Sequence, residues 1–198
     1  MKEKTILKLK LNTDPRWVNI AEKNIEDILV DHAWCEQKAA STGISMIIHY
    51  PEKTRLVDAL TDLVAEEWSH FERVLLELRK RGFALGRPRK DEYVVQLLAH
   101  VRKGGARERQ LMDQLLVSAL IEARSCERFR LLSLHCADTA IRGWYHQFMV
   151  AEAGHYRLFL HLAALYFGKE QVQSRWRDYL HHEAEVVSKL PARGDRMH

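Results

Sequence analysis

The chain is poor in residues that interrupt regular structure. Its 198 residues include nine glycines and four prolines, so forced turns are few and the segments between them are long, which favours extended helices. The three cysteines, Cys35, Cys126 and Cys136, form no Cys-x-x-Cys pair. That excludes a zinc ribbon or an iron–sulfur framework and fits small buried hydrophobes in a reducing compartment. No apolar run approaches the ~18 residues of a membrane span. The lysine-rich start lacks the apolar core of a secretory signal, so a cytoplasmic protein is expected. A Gly-x-Gly-x-x-Gly fingerprint is also missing, leaving no flavin or nicotinamide site of that kind. Hydrophobic residues make up 46% and charged residues 29%, a balance that suits one domain around a single core.

What is present is organised around Glu67-Trp68-Ser69-His70 and its echo, Glu152-Ala153-Gly154-His155. Three residues apart on a helix, a carboxylate and an imidazole project from one face. Glu67 and His70 fall in the row Leu60, Leu63, Val64, Phe71, Val74, and Glu152 and His155 are flanked by Phe148, Tyr156 and Phe159. A charged carboxylate on such an apolar face is costly unless it is paired or binds a metal.

Each motif has an upstream partner. Glu36 precedes Glu67 by 31 residues and Glu122 precedes Glu152 by 30, with midpoints at Pro51 and Ala137. Pro51 breaks helices, and Asp138, next to Ala137, is a good N-cap. Two helical hairpins turning there bring each Glu level with its Glu-x-x-His, roughly 22 Å from the turn at helical rise. Four carboxylates and two imidazoles from four helices are the ligand set of a ferritin-like di-iron or di-manganese centre. The candidate ligands are therefore Glu36, Glu67, His70, Glu122, Glu152 and His155. By connectivity Glu36 and His70 serve one metal, Glu122 and His155 the other, and Glu67 and Glu152 are placed to bridge. Oxygen-rich sites with one imidazole per metal suit iron or manganese. Glu127 is a rival to Glu122, but its neighbours Arg124, Arg128 and Arg130 point to a solvated, salt-bridged position, whereas Ser118, Ala119, Ser125 and Cys126 leave room around Glu122. His32, one turn before Glu36, reads as a hydrogen-bonded core histidine.

The expected fold is all-α: a ferritin-like four-helix bundle of two hairpins joined by a long crossover, with extra short helices, as a single domain over residues 1–198. Residues 1–23 make an arm and a short helix, the alternation in Lys8-Leu9-Lys10-Leu11 reading as a strand or extended arm. The long helices are expected near 24–49, 52–81, 107–135 and 138–167, with a last one near 170–190 and a frayed tail over 191–198. The crossover, 82–106, holds a short amphipathic helix. From Arg79 to Arg109 there are ten basic residues against three acids, so this stretch carries +7 of a net +4 and the remainder sums to 4 − 7 = −3. Concentrated positive charge points to a polyanionic partner, with Arg87, Arg89, Lys90, Arg102, Lys103, Arg107 and Arg109 as its candidate contacts.

The stretch Asp31-His32-Ala33-Trp34-Cys35-Glu36-Gln37-Lys38-Ala39-Ala40-Ser41-Thr42, together with Glu67-Trp68-Ser69-His70-Phe71, resembles the tRNA hydroxylase family usually called MiaE. The similarity runs through the crossover to Glu152-Ala153-Gly154-His155-Tyr156 and covers most of the chain. The resemblance implies a non-haem di-iron monooxygenase that hydroxylates the isopentenyl group of 2-methylthio-N6-isopentenyladenosine, next to the tRNA anticodon. It would use two iron ions, O2 and two electrons from a separate reductase system. Two other classes share the ligand set: an iron-storage or ferroxidase protein, and a di-iron hydroxylase or desaturase of a lipid-like substrate.

Overall fold

The computed structural model describes residues 7–104, 106–191 and 193–198. The described residues form seven helices: α1 (Trp17–Lys23), α2 (Ile25–His49), α3 (Thr54–Lys80), α4 (Glu92–Ala99), α5 (Arg107–His135), α6 (Thr139–Phe167) and α7 (Lys169–Lys189). There is no strand among them. The ends fall where the breakers stand. After α2, Lys53 N–H donates to Tyr50 O at 3.0 Å across Pro51. Asp138 caps α6 by accepting from Ala140 N at 2.9 Å and Ile141 N at 3.2 Å, which satisfies two of the amide groups left over at a helix start. Gly82, at φ +75, lets Phe83 N–H reach back to Leu78 O at 2.9 Å and close α3; a side chain there would be strained.

By contacts the chain forms two units. Of the described residues, one comprises Ile20–Lys90 and Arg193–Met197; the other comprises 7–19, 91–104, 106–191 and His198. In the first, α2 packs along α3. The apolar stripe Leu56, Leu60, Leu63, Val74 and Leu78 of α3 is buried, and so is the α2 face carrying Ile28, Leu29, Ala33, Ala40 and Met46. Each fully buried large aliphatic side chain is worth about 1.5–3 kcal/mol. Gly43 sits where α2 meets α3, and a Cβ there would lie 2.6 Å from Val64 Cγ2. In the second unit α5 packs along α6, and α4 and α7 lie against α5. Helix α5 is buried on almost every side, as a central helix must be.

Two expectations fail at the chain ends. Residues 1–6 of the expected arm lie outside the described residues. The rest makes a turn, with Leu7 at φ 48 and Lys8 at φ 67, after which Leu9 and Thr13 are buried. The C-terminal tail is packed instead of frayed. Within the first unit Met197 N–H donates to the buried Asp31 carboxylate at 2.8 Å, Arg89 donates to Asp195 O at 3.2 Å, and Gly194 lies against Ile20 and Asn24. Within the second unit His198 is held by the Asp91 carboxylate at 3.0 Å and Ser125 Oγ at 2.9 Å, and stacks on Tyr93. A polar composition over 191–198 hid these specific partners.

Candidate metal centre

The hairpin of α2 and α3 gathers the first three candidate ligands. Glu36, Glu67 and His70 are all buried, and each offers a ligand atom within 4.8 Å of the others. His70 turns its Nδ1 towards the carboxylates, at 3.6 Å from Glu36 Oε2 and 3.5 Å from Glu67 Oε2. These separations exceed an ordinary hydrogen bond, whereas donors each ~2.1 Å from one shared ion sit about 3–4 Å apart. Glu36 has a further anchor: Nε2 of the fully buried His32 donates to its Oε1 at 2.6 Å. Glu66 is half-exposed and stands 3.9 Å from His70 Nε2, too far for a hydrogen bond.

The hairpin of α5 and α6 repeats the arrangement. Glu122, Glu152 and His155 are buried, and their ligand atoms also lie within 4.8 Å of one another. His155 again directs Nδ1 at its own helix's carboxylate, 3.6 Å from Glu152 Oε2. Ser118 and Cys126, one turn either side of Glu122, are buried small side chains. Cys126 Sγ–H donates to Met149 O at 3.3 Å; burial, and then the charges of Glu152 and Glu127, push this thiol up to about 12, so it stays protonated. Towards the α5–α6 turn, Trp144 and Phe148 (4.6 Å between centroids) and Phe129 and Tyr145 (5.3 Å) pack into an aromatic wall.

Buried carboxylates beside imidazoles are a donor set for hard or borderline divalent ions. Two carboxylates and one imidazole in each hairpin are compatible with a di-iron site.

Glu127 belongs to neither of these clusters. It is buried, not solvated: its carboxylate accepts Thr13 N–H and Oγ–H and pairs with the fully buried Arg124, which also donates Nε–H to Glu183 at 3.0 Å. The sequence indicated an ion pair but not its depth, because Thr13 and Glu183 are remote in the chain. The basic crossover residues divide into two groups. Arg87, Lys90, Lys103, Arg107 and Arg109 are exposed. Arg89 is pinned to Asp27 and Asp195. Arg102 donates to the fully buried Asp113, at 2.8 Å to Oδ1 and 2.9 Å to Oδ2. Burial pushes the Asp113 carboxyl up, but the hydrogen bonds from Arg175 and Arg102 prevail and hold it below the usual range.

Comparison with known proteins agrees with this chemistry. A family model described as tRNA-(MS[2]IO[6]A)-hydroxylase (MiaE) matches residues 1–198. A tRNA 2-(methylsulfanyl)-N(6)-isopentenyladenosine(37) hydroxylase of Pseudomonas putida is 39% identical over 155 residues, covering 78% of this chain and 74% of that protein. One of Salmonella typhimurium, with the same name, is 26% identical over 235 residues, covering 94% and 85%. A solved structure, a protein with aldehyde deformylating oxygenase activity from Synechococcus, superposes with a TM-score of 0.90 at 33% identity, over 96% of this chain and 94% of that one. The fold is ferritin-like, and no helix among the described residues is long and apolar enough to cross a membrane.

Proposed function

Since the chain belongs to the MiaE family of tRNA hydroxylases, we propose that it hydroxylates the isopentenyl group of 2-methylthio-N6-isopentenyladenosine next to the anticodon of tRNA. Residues 1–198 act as one catalytic domain in the cytoplasm. Glu36, Glu67, His70, Glu122, Glu152 and His155 hold two iron ions, with O2 as co-substrate. The observation that carries the reading is the duplicated buried triad, Glu plus Glu-x-x-His, in a chain of this family. The reaction balances as one C–H bond, O2, two electrons and two protons giving one C–OH and water; the electrons come from a separate reductase. The iron pair would supply the oxidising power to break an allylic C–H bond of the isopentenyl group.

The protein supplies the rest. The triads present carboxylate oxygens and Nδ1 atoms from rigid helices, and their burial keeps bulk water from the reacting groups. A base in a single-stranded loop is cheaper to present than one in a duplex. The exposed Arg87, Lys90, Lys103, Arg107 and Arg109 neutralise backbone phosphates.

Mass spectrometry of tRNA nucleosides from cells with and without the protein tests the function. Loss of the hydroxylated nucleoside and accumulation of its isopentenyl precursor is the expected result. Unchanged tRNA nucleosides, with consumption of aldehydes by the purified protein, would favour an aldehyde substrate, the reading suggested by the Synechococcus neighbour. Metal analysis tests the site: about two iron ions per chain are expected for such ligands, and Glu67→Ala and Glu152→Ala should each lose the pair.

A further inference from the structure

The two triads are alike in ligand type but not in what stands one turn before the leading glutamate. On α2 that position is His32; on α5 it is Ser118. His32 is fully buried and its Nε2 donates to Glu36 Oε1 at 2.6 Å, while the other oxygen, Oε2, faces His70 Nδ1 at 3.6 Å. One oxygen of Glu36 is thus committed to His32 and the other is left on the ligand side. We infer that His32 is a positioning residue that restricts Glu36 to one metal-binding oxygen and so sets the iron affinity of the α2–α3 ligands. The inference rests on the di-iron reading above and deepens it.

The physical basis is the geometry of a charge-assisted hydrogen bond. A short N–H···O bond to a carboxylate fixes both the torsion of the carboxylate and which oxygen is free. Partners that orient a ligand in this way typically change metal affinity by 10–100-fold when removed. Because His32 is fully buried, His32→Ala also leaves a cavity, and His32→Gln separates that effect from loss of the bond.

Anaerobic titration of the metal-free protein with ferrous iron, followed by near-infrared circular dichroism, reads each site separately. Wild type should bind two irons. His32→Ala should weaken one of the two binding steps by about 10–100-fold and leave the other unchanged. His32→Gln, which keeps an N–H donor, should restore most of the loss, and Ser118→Ala should change neither step. A wild type that binds fewer than two irons would overturn the di-iron reading itself. With two irons bound in wild type, three results would overturn the role of His32 alone: an unchanged titration in His32→Ala, equal weakening of both steps, or no rescue by Gln.

Discussion

Thr13 and Glu127, 114 positions apart, are joined by two hydrogen bonds: Thr13 N–H donates to Oε1 at 2.9 Å and its hydroxyl to Oε2 at 2.7 Å. The N-terminal arm is thereby latched to the middle of α5, where Arg124 completes the cluster by pairing with Glu127 and Glu183 and donating to Leu11 O at 3.0 Å. Arg124 is fully buried. Burial alone would depress its guanidinium, but Glu183 and Glu127 more than offset that and keep it charged.

Breaking a buried ion pair by deleting one partner costs about 3–5 kcal/mol, because the other charge is stranded. Glu127→Ala should accordingly lower the melting temperature by roughly 10 °C in a chain of this size, yet leave iron content near wild type. Glu122→Gln should do the reverse, losing iron with a smaller effect on the metal-free melt. Calorimetry and metal analysis on the same preparations separate the two. Iron loss in Glu127→Gln but not in Glu122→Gln would overturn the α5 ligand assignment.

Gly43 offers a test of helix packing. In an isolated helix Gly→Ala is worth up to about 1 kcal/mol, but here the new methyl would meet Val64 Cγ2 at 2.6 Å. Overpacking of this kind costs about 1–3 kcal/mol. Gly43→Ala should therefore be neutral to destabilising alone, and stabilising in a Val64→Ala background. Denaturant melts of the four proteins give the coupling; additive effects would mean that α2 and α3 yield at this contact.

His100 carries a pH dependence. Its ring stacks on His182 at 4.3 Å, and its Nε2 faces Arg175 Nη1 at 3.4 Å. Partial burial, then His182 and Arg175, hold it below the usual imidazole value, with Asp113 and Asp178 opposing. In the unfolded chain a histidine titrates near ~6.5, so there the unfolded state takes up the proton first. The contribution of His100 is complete above that value and is lost as pH falls through the depressed folded one. Melting temperature should fall between pH 7 and pH 5, and His100→Asn should flatten that fall. An unaltered slope in the variant would place the titration elsewhere.

Much of the fold was readable because its punctuation is local. Pro51, Gly82, Asp138 and Gly168 stop or start helices through their own backbone chemistry, and the helix bounds fall within two or three residues of them. The six candidate ligands were readable because acids on an apolar stripe conflict with burial unless something pairs with them. What sequence did not reveal depends on partners far along the chain. Arg124 and Glu127 look like surface charges until Thr13 and Glu183 arrive. Gly43 looks like a flaw in α2 until Val64 is opposite it. The His32–Glu36 bond is the exception: its four-residue spacing was visible, but nothing local distinguished it from any other buried histidine.

The basic crossover gives the last prediction. Only its exposed members, Arg87, Lys90, Lys103, Arg107 and Arg109, are proposed to meet phosphate; Arg89 and Arg102 are tied to Asp27, Asp195 and Asp113. Each phosphate contact by a lysine or arginine steepens the fall of log affinity against log salt by about 0.7 for single strands. Reversing Arg87 and Lys90, or Lys103 and Arg107, should weaken tRNA binding and flatten that slope by roughly 1 to 1.5, with iron content and melting temperature unchanged. Arg102→Glu should instead lower the melting temperature, since it sets a carboxylate against the buried Asp113. Arg175 shares Asp113 with Arg102 through Nε at 2.9 Å and cannot serve as a remote control; the exposed Arg177 can. Filter binding of an anticodon stem-loop across a salt series reads all of them. Losses as large in Arg177→Glu as in the crossover pairs would mean that net charge alone matters. Undiminished binding in the crossover pairs would move the tRNA face elsewhere on the protein.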